Sequence, residues 1–318
     1  MNEDGFVRNT SLVSRRAFLG CALMSTASLL TAASRAQQPA DVDGSTAPGP
    51  VAARRGDPER LGLFLCGDVM SGRAIDQILP HAVDPRLYEP YITDAREYVA
   101  LAETVNGTIP RPVEYRYPWG DALAVLDDLD PAVRIVNLET AVTTSATPWP
   151  GKGIHYRMHP GNVELLKAAR IDCCVLANNH VLDWQHRGLA QTLDTLHAAG
   201  VASCGAGRGA DRAAAPAIIP TRADQRVLIF AFAAPDSGTL RAWAAADERP
   251  GVNLLPDYSA QSVARLAALV ERYRRPGDVV VVSIHWGGNW GYAVPTAQRR
   301  FAHALIDRGV VDILHGHS

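Results

Sequence analysis

The sequence predicts an α/β fold in which helices cover a largely parallel or mixed sheet. Short apolar runs of strand composition alternate with segments of helical period from residue 61 to the C-terminus, without an internal repeat. Several of these runs stop at polar side chains, as buried strands do where their carboxyl ends face a cleft. With 318 residues, 47% of them hydrophobic, the chain is long and apolar enough to bury a large core.

The strands and helices are predicted from the spacing of apolar residues and from the Gly and Pro residues that separate the segments. The run at 278–284 contains consecutive valines and is the strongest candidate for a buried strand. A turn at 221–225 predicts that the runs on either side of it pair. Strands are predicted at 61–66, 133–139, 171–176, 201–204, 217–219, 226–232, 278–284 and 310–314. Helices are predicted at 94–103, 121–129, 162–170, 184–199, 258–274 and 296–308.

Residues 79–130 interrupt this alternation after the first strand. The segment holds much of the aromatic content of the chain, including Tyr88, Tyr98 and Trp119. Such an insertion is either a cap over a site or a packed surface lobe without ligand contacts, and the sequence leaves both interpretations open.

The N-terminus has the composition of an export signal. Arg15 and Arg16 precede an uncharged run of Ala, Leu, Ser and Thr that ends in small residues, which resembles a twin-arginine signal peptide. The run is too short and too rich in Ser and Thr for a stable membrane span. We therefore expect a periplasmic or extracellular protein. The predicted organisation is a signal peptide at 1–36, a flexible leader at 37–60 and a folded domain at 61–318.

Charge and cysteine content exclude other classes. The net charge is -2, and no basic stripe alternates with aromatic residues, so we expect no nucleic-acid binding. No Cys-x-x-Cys spacing indicates structural zinc. The folded domain has four cysteines: Cys66, Cys173, Cys174 and Cys204. One disulfide remains open in an oxidising compartment, but Cys66, Cys173 and Cys174 lie in apolar strand-like runs, where we expect buried free thiols.

Five predicted strand ends carry side chains of metal-ligand type. Because neighbouring parallel strands deliver their carboxyl ends to one sheet edge, we expect these side chains to share a site. Carboxylate, amide and imidazole donors without cysteine suit manganese, iron or zinc, and a pair of such ions favours phosphoester hydrolysis. The alternative is a set of polar strand ends that only bond to one another. The residues are Asp68, Asn137, Glu139, Asn179, His180, His285, His315 and His317.

The motifs around these residues resemble the CapA family of capsule and poly-γ-glutamate biosynthesis proteins. That family is similar in fold to the calcineurin-like metallophosphoesterases, which implies a layered sheet or sheets flanked by helices, here with the insertion after the first strand described above. The motifs occur in the family order. They are Gly67-Asp68 through Arg73, Asn137-Leu138-Glu139, Asn179-His180 through Asp183, His285-Trp286-Gly287 and His315-Gly316-His317.

The resemblance also implies roles. Asp68 would bind the first metal, and Glu139 would bridge the two metals. The second metal site would be completed by Asn179, His285 and a histidine of the last motif. His317 matches the Gly-His of that motif and His315 stands just ahead of it. The resemblance further implies three catalytic residues. His180 would be the acid that protonates the leaving oxygen, Arg73 would face the anionic substrate, and Asp183 would be the third.

Two positions depart from the phosphoesterase pattern. Met70 stands where the Asp-x-His motif has its histidine. The last family motif continues beyond Gly-His, whereas this sequence ends at Ser318, so the domain is expected to be C-terminally incomplete. The predicted function is that of an exported, metal-dependent hydrolase acting on a phosphoester or an anionic envelope polymer. The alternative is a non-catalytic accessory that binds such a polymer or capsule-assembly proteins.

Overall fold

The computed structural model describes residues 61–221 and 225–318. The predicted signal peptide and leader lie outside the described residues, as does the centre of the turn at 221–225. Within the described ranges, no helix is both long and apolar enough to cross a membrane.

Two four-stranded sheets form the centre of the molecule. The first has the order β1-β2-β5-β6 and is parallel throughout. The second has the order β12-β11-β9-β8, with only β8 antiparallel to its neighbour. The small ribbons β3-β4 and β7-β10 complete the strand pairing. The strands are β1 Leu63–Val69, β2 Val133–Leu138, β3 Ala141–Val142, β4 Arg157–Met158, β5 Cys173–Val175, β6 Ala202–Cys204, β7 Ala206–Gly207, β8 Ala217–Pro220, β9 Arg226–Ala233, β10 Gly251–Val252, β11 Val279–His285 and β12 Ile313–His317.

Helices cover the outer face of each sheet. Alternate strand side chains enter different cores, because successive residues of a strand point to opposite faces. Ile135 and Ile229 share the core between the sheets. Leu138 lies in the outer core of the first sheet, and Phe230 packs with Phe301 in that of the second. The helices are α1 Arg73–Ile78, α2 Ala95–Asn106, α3 Ala122–Leu129, α4 Glu164–Ala168, α5 Gln185–Ala198, α6 Ala210–Ala214, α7 Ala260–Glu271 and α8 Thr296–Ile306.

The resulting order of helices, sheet, sheet and helices confirms the predicted metallophosphoesterase-like layered α/β fold. The predicted strands and long helices are present with shifted ends. Strand β12 continues to His317 instead of ending at residue 314, because its backbone pairs with β11 as far as His285. Asp68 likewise lies inside β1, after a register shift between Cys66 and Asp68. The short elements α1, α6, β3, β4, β7 and β10 were not predicted.

The insertion after β1 packs mainly as a structural lobe. Tyr98 is buried in the outer core of the first sheet, and Trp119 packs against that core. The Trp119 indole donates a hydrogen bond to the Leu165 carbonyl at 2.9 Å, and the Tyr115 hydroxyl donates to the Gly161 carbonyl at 3.1 Å. These contacts use the aromatic side chains to attach the lobe.

The prediction of buried free thiols is confirmed for Cys173 and Cys174 in β5, and Cys204 in β6 is also buried and free. Cys66 in β1 is half-buried. Burial raises the pKa of the Cys174 thiol above the usual range, which keeps it in the inert thiol form.

Candidate metal centre

The two sheets meet where β1 lies beside β12. A Cβ atom added to Gly67 would lie 3.4 Å from the His317 Cβ, in van der Waals contact, which shows how closely the two strands approach. The ends of β1, β2, β11 and β12 therefore deliver their side chains to one place. This is the convergence that the sequence predicted.

Asp68 is the centre of this cluster. One of its oxygens, Oδ1, accepts hydrogen bonds from Asn137 Nδ2 at 2.7 Å and from His317 Nδ1 at 2.9 Å. His285 Nδ1 lies 3.6 Å from the same oxygen. One ligand atom each of Asp68, His285 and His317 lies within 4.8 Å of the others, which is close enough for one ion to bind all three.

Glu139 lies on the other side of His285. Its Oε1 is 3.9 Å from His285 Nε2 and 3.9 Å from His180 Nε2. Its backbone N–H donates to the Val69 carbonyl at 3.0 Å, which fixes the residue beside the end of β1. Burial, reinforced by the charge of Asp68, raises the pKa of Glu139 to about 8. The carboxyl group therefore occupies a position where positive charge would be stabilising.

Two candidate ligand atoms have no hydrogen-bond partner within the described part of the chain. They are His285 Nε2 and Asn179 Oδ1. His285 is only 1% exposed, so bulk solvent does not reach its ring. Asn179 gives its amide group to the Ser237 carbonyl at 2.9 Å, which leaves the oxygen as the unused end. Buried polar atoms without partners are rare in folded proteins, and both atoms are of metal-ligand type.

The electrostatics of the cluster also fit a divalent metal. Burial alone would raise the pKa of Asp68, but hydrogen bonds from His285 and His317 lower it well below its usual range. Burial lowers the pKa of His285. The cluster thus holds a carboxylate beside a neutral imidazole, and metals bind these forms.

His180 stands at the edge of the cluster in a rigid frame. Its Nδ1 donates to Asp183 Oδ2 at 2.6 Å, and its ring stacks on Tyr156 with centroids 3.8 Å apart. The side chain of Asn178 accepts the His180 backbone N–H at 3.0 Å and donates to Asn137 Oδ1 at 3.0 Å. Burial lowers the pKa of His180 to about 4, against the opposing charge of Asp183. Burial therefore favours the neutral ring, and a proton added to Nε2 is released readily.

Arg73 and His315 lie outside the Asp68 cluster and contact other residues. The Arg73 guanidinium pairs with Glu89 at 2.6 Å and lies 4.7 Å from the centroid of the Tyr156 ring, on which His180 stacks. His315 lies two residues before His317, and the Ser283 hydroxyl contacts Nδ1 of His315 at 3.2 Å. Burial lowers the pKa of His315 to about 4. The structure thus brings together Asp68, Glu139, His180, Asp183, His285 and His317, and Asn179 precedes His180 in the chain.

Sequence reasoning missed Lys152, Tyr156 and Asn178. Lys152 lies in a Pro- and Gly-rich loop and bonds to Asp183 at 2.5 Å. The only local signal was a lone lysine between two glycines. Asn178 was visible beside Asn179, but only the fold shows that it joins the ends of β2 and β5 while its neighbour keeps an oxygen free.

Comparison with known proteins gives one family. The model of the family "Bacterial capsule synthesis protein PGA_cap" matches residues 62–318. A probable polyglutamine synthesis accessory protein of Mycobacterium tuberculosis H37Rv is 47% identical over 264 residues, which cover 83% of this chain and 69% of the relative. The PGA biosynthesis protein CapA of Bacillus subtilis is 26% identical over 261 residues, covering 81% and 57%. The capsule biosynthesis protein CapA of Bacillus anthracis is 23% identical over 259 residues, covering 81% and 54%.

Proposed function

Because the chain belongs to the bacterial capsule synthesis protein family PGA_cap, we propose that it is an exported accessory protein of capsule or poly-γ-glutamate synthesis that hydrolyses phosphoesters with a divalent metal. The observation that supports the hydrolase proposal is the cluster of Asp68, His285 and His317, in which the buried His285 Nε2 has no hydrogen-bond partner. A set of polar strand ends that only bonded to one another would use this atom.

The donor set fits manganese, iron or zinc. Bound there, such an ion would supply Lewis-acid polarisation of the ester and activation of water. His180 has Nδ1 committed to Asp183, so Nε2 is the ring atom that would hold the proton for the leaving oxygen. The ligands would be Asp68, Glu139, Asn179, His285 and His317.

His285→Ala tests this proposal. Removal of this imidazole is expected to abolish metal-dependent turnover of bis(p-nitrophenyl) phosphate, because the cluster loses the residue that contacts both carboxylates. The assay compares the parent protein and the variant with each of the three metals and with a chelator. His303→Ala, an exposed histidine on α8, is the matched control. Equal metal content and equal turnover in the parent protein and the His285→Ala variant would contradict the proposal.

A second candidate function is a non-catalytic accessory that binds an anionic envelope polymer or a capsule-assembly protein. Met70 favours it, because a thioether at this position does not replace the histidine of the Asp-x-His pattern as a ligand for manganese or zinc. Titration with poly-γ-glutamate separates the two functions. Polymer binding that persists in Asp68→Ala and in the presence of a chelator, without any turnover, would support the accessory.

A further inference from the structure

Lys152 reaches the catalytic edge of the cluster from the loop that precedes β4. Its side chain is 15% exposed, whereas the Asp183 carboxylate beside it is fully buried. The ammonium Nζ lies 2.5 Å from Asp183 Oδ1 and 3.1 Å from His180 Nδ1, and it donates to the Ile154 carbonyl at 3.1 Å. Each of its three N–H groups thus has a neighbour inside the protein.

The two carboxylate oxygens of Asp183 accept hydrogen bonds from different donors. Oδ1 accepts from Lys152, while Oδ2 accepts from His180 Nδ1 at 2.6 Å and from the Tyr156 backbone N–H at 2.7 Å. Because a carboxylate is planar, a donor on Oδ1 fixes the direction in which Oδ2 faces the imidazole. Asp183 Oδ2 lies closer to His180 Nδ1 than Lys152 Nζ does, at 2.6 Å against 3.1 Å. The Nδ1 proton is therefore donated to Asp183, and Nε2 faces Glu139.

The loop that carries Lys152 is itself held against Asp183. The Trp149 backbone N–H donates to the Asp183 carbonyl at 2.7 Å, and the ammonium lies 5.5 Å from the centroid of the Trp243 ring. The lysine is therefore fixed at both the backbone and the side chain. Two of its N–H groups are bonded to Asp183 and Ile154, and the third faces the His180 ring.

We propose that Lys152 is a positioning residue, which acts through Asp183 to hold His180 in the orientation that delivers a proton to the leaving oxygen. This inference rests on the proposed hydrolase function. In the step, a water oxygen bonds to phosphorus as the bond from phosphorus to the leaving oxygen breaks. The proton on His180 Nε2 passes to the leaving oxygen, the water releases a proton to solvent, and solvent reloads Nε2.

A pair of esters with different leaving groups tests the proposal. Methyl phenyl phosphate needs protonation of its leaving oxygen, whereas methyl p-nitrophenyl phosphate releases a stable anion without help. Lys152→Met is expected to lower turnover of the phenyl ester by about 10- to 100-fold and that of the p-nitrophenyl ester by less than about twofold. A lysine that only stabilised the fold would lower both equally.

Three further variants complete the experiment. Asp183→Asn keeps the side-chain size and is expected to show the same selective loss, even if Lys152→Met does not fold. The double variant Lys152→Met/His180→Ala is expected to be no slower than His180→Ala alone, since both act on one proton transfer. Lys167→Met, an exposed lysine of α4, is the control and is expected to match the parent.

The outcomes are distinguishable. An equal loss on both esters in Lys152→Met and Asp183→Asn, or no loss in either variant, overturns the positioning role while the hydrolase proposal stands. A parent protein that turns over neither ester with any of the three metals overturns the hydrolase proposal and this inference together.

Discussion

Replacement of His180 by alanine is expected to lower turnover of methyl phenyl phosphate at least about 100-fold, because general acid catalysis contributes that much to proton transfer. The metal content of the protein is expected to stay unchanged, since the His180 ring is held by Asp183 and its Nε2 lies 3.9 Å from the candidate ligand atom Glu139 Oε1. Steady-state rates and elemental analysis of the same sample check both halves. This combination separates a proton donor from a metal ligand.

The control for this variant is His197→Ala. His197 lies exposed in the last turn of α5, remote from the strand ends, and its loss is expected to leave both rate and metal content at the parent values. A parallel loss of metal and activity in His180→Ala would instead make His180 a ligand and would contradict its assignment as the acid.

Replacement of Glu89 by glutamine is expected to destabilise the protein by about 3–5 kcal/mol, because it leaves the Arg73 guanidinium buried without its carboxylate. Both side chains are almost inaccessible, at 7% and 0% exposure, and they lie 2.6 Å apart. The Tyr98 hydroxyl also donates to Glu89 at 2.5 Å. The midpoint of urea unfolding, converted with an unchanged m-value, measures the loss.

A matched surface pair provides the control. Glu164 and Lys167 lie 2.9 Å apart on α4 with nearly half of each side chain exposed. Glu164→Gln is therefore expected to cost less than about 1 kcal/mol. Equal effects of the two substitutions would show that Arg73 does not depend on Glu89.

The buried pair gives Arg73 a partner that the sequence did not predict. The family resemblance implies that Arg73 faces an anionic substrate, and the structure adds an ion pair with Glu89 of the insertion. Arg73 adopts a left-handed backbone with φ of 47°, which turns the start of α1. No local pattern predicts such a conformation for arginine, because tertiary contacts alone compensate its cost.

The layered fold and the main cluster were predictable because strand composition and strand ends are local properties. Apolar runs such as 278–284 predicted buried strands, and their polar ends predicted Asp68, His285 and His317 at one edge. The division into two facing sheets was not predictable, since it depends on which strands pair. Contacts between residues that are distant in sequence, such as that of Lys152 with Asp183, were not predictable either, because they also depend on the tertiary fold.

The proposed metal centre is tested most directly by anomalous diffraction from crystals of the protein as purified, with the element identified by X-ray fluorescence. A peak of manganese, iron or zinc is predicted about 2.0–2.3 Å from ligand atoms that include His285 Nε2 and Asn179 Oδ1. Crystals soaked with each of the three metals that show no peak among Asp68, His285 and His317 would contradict the metal centre.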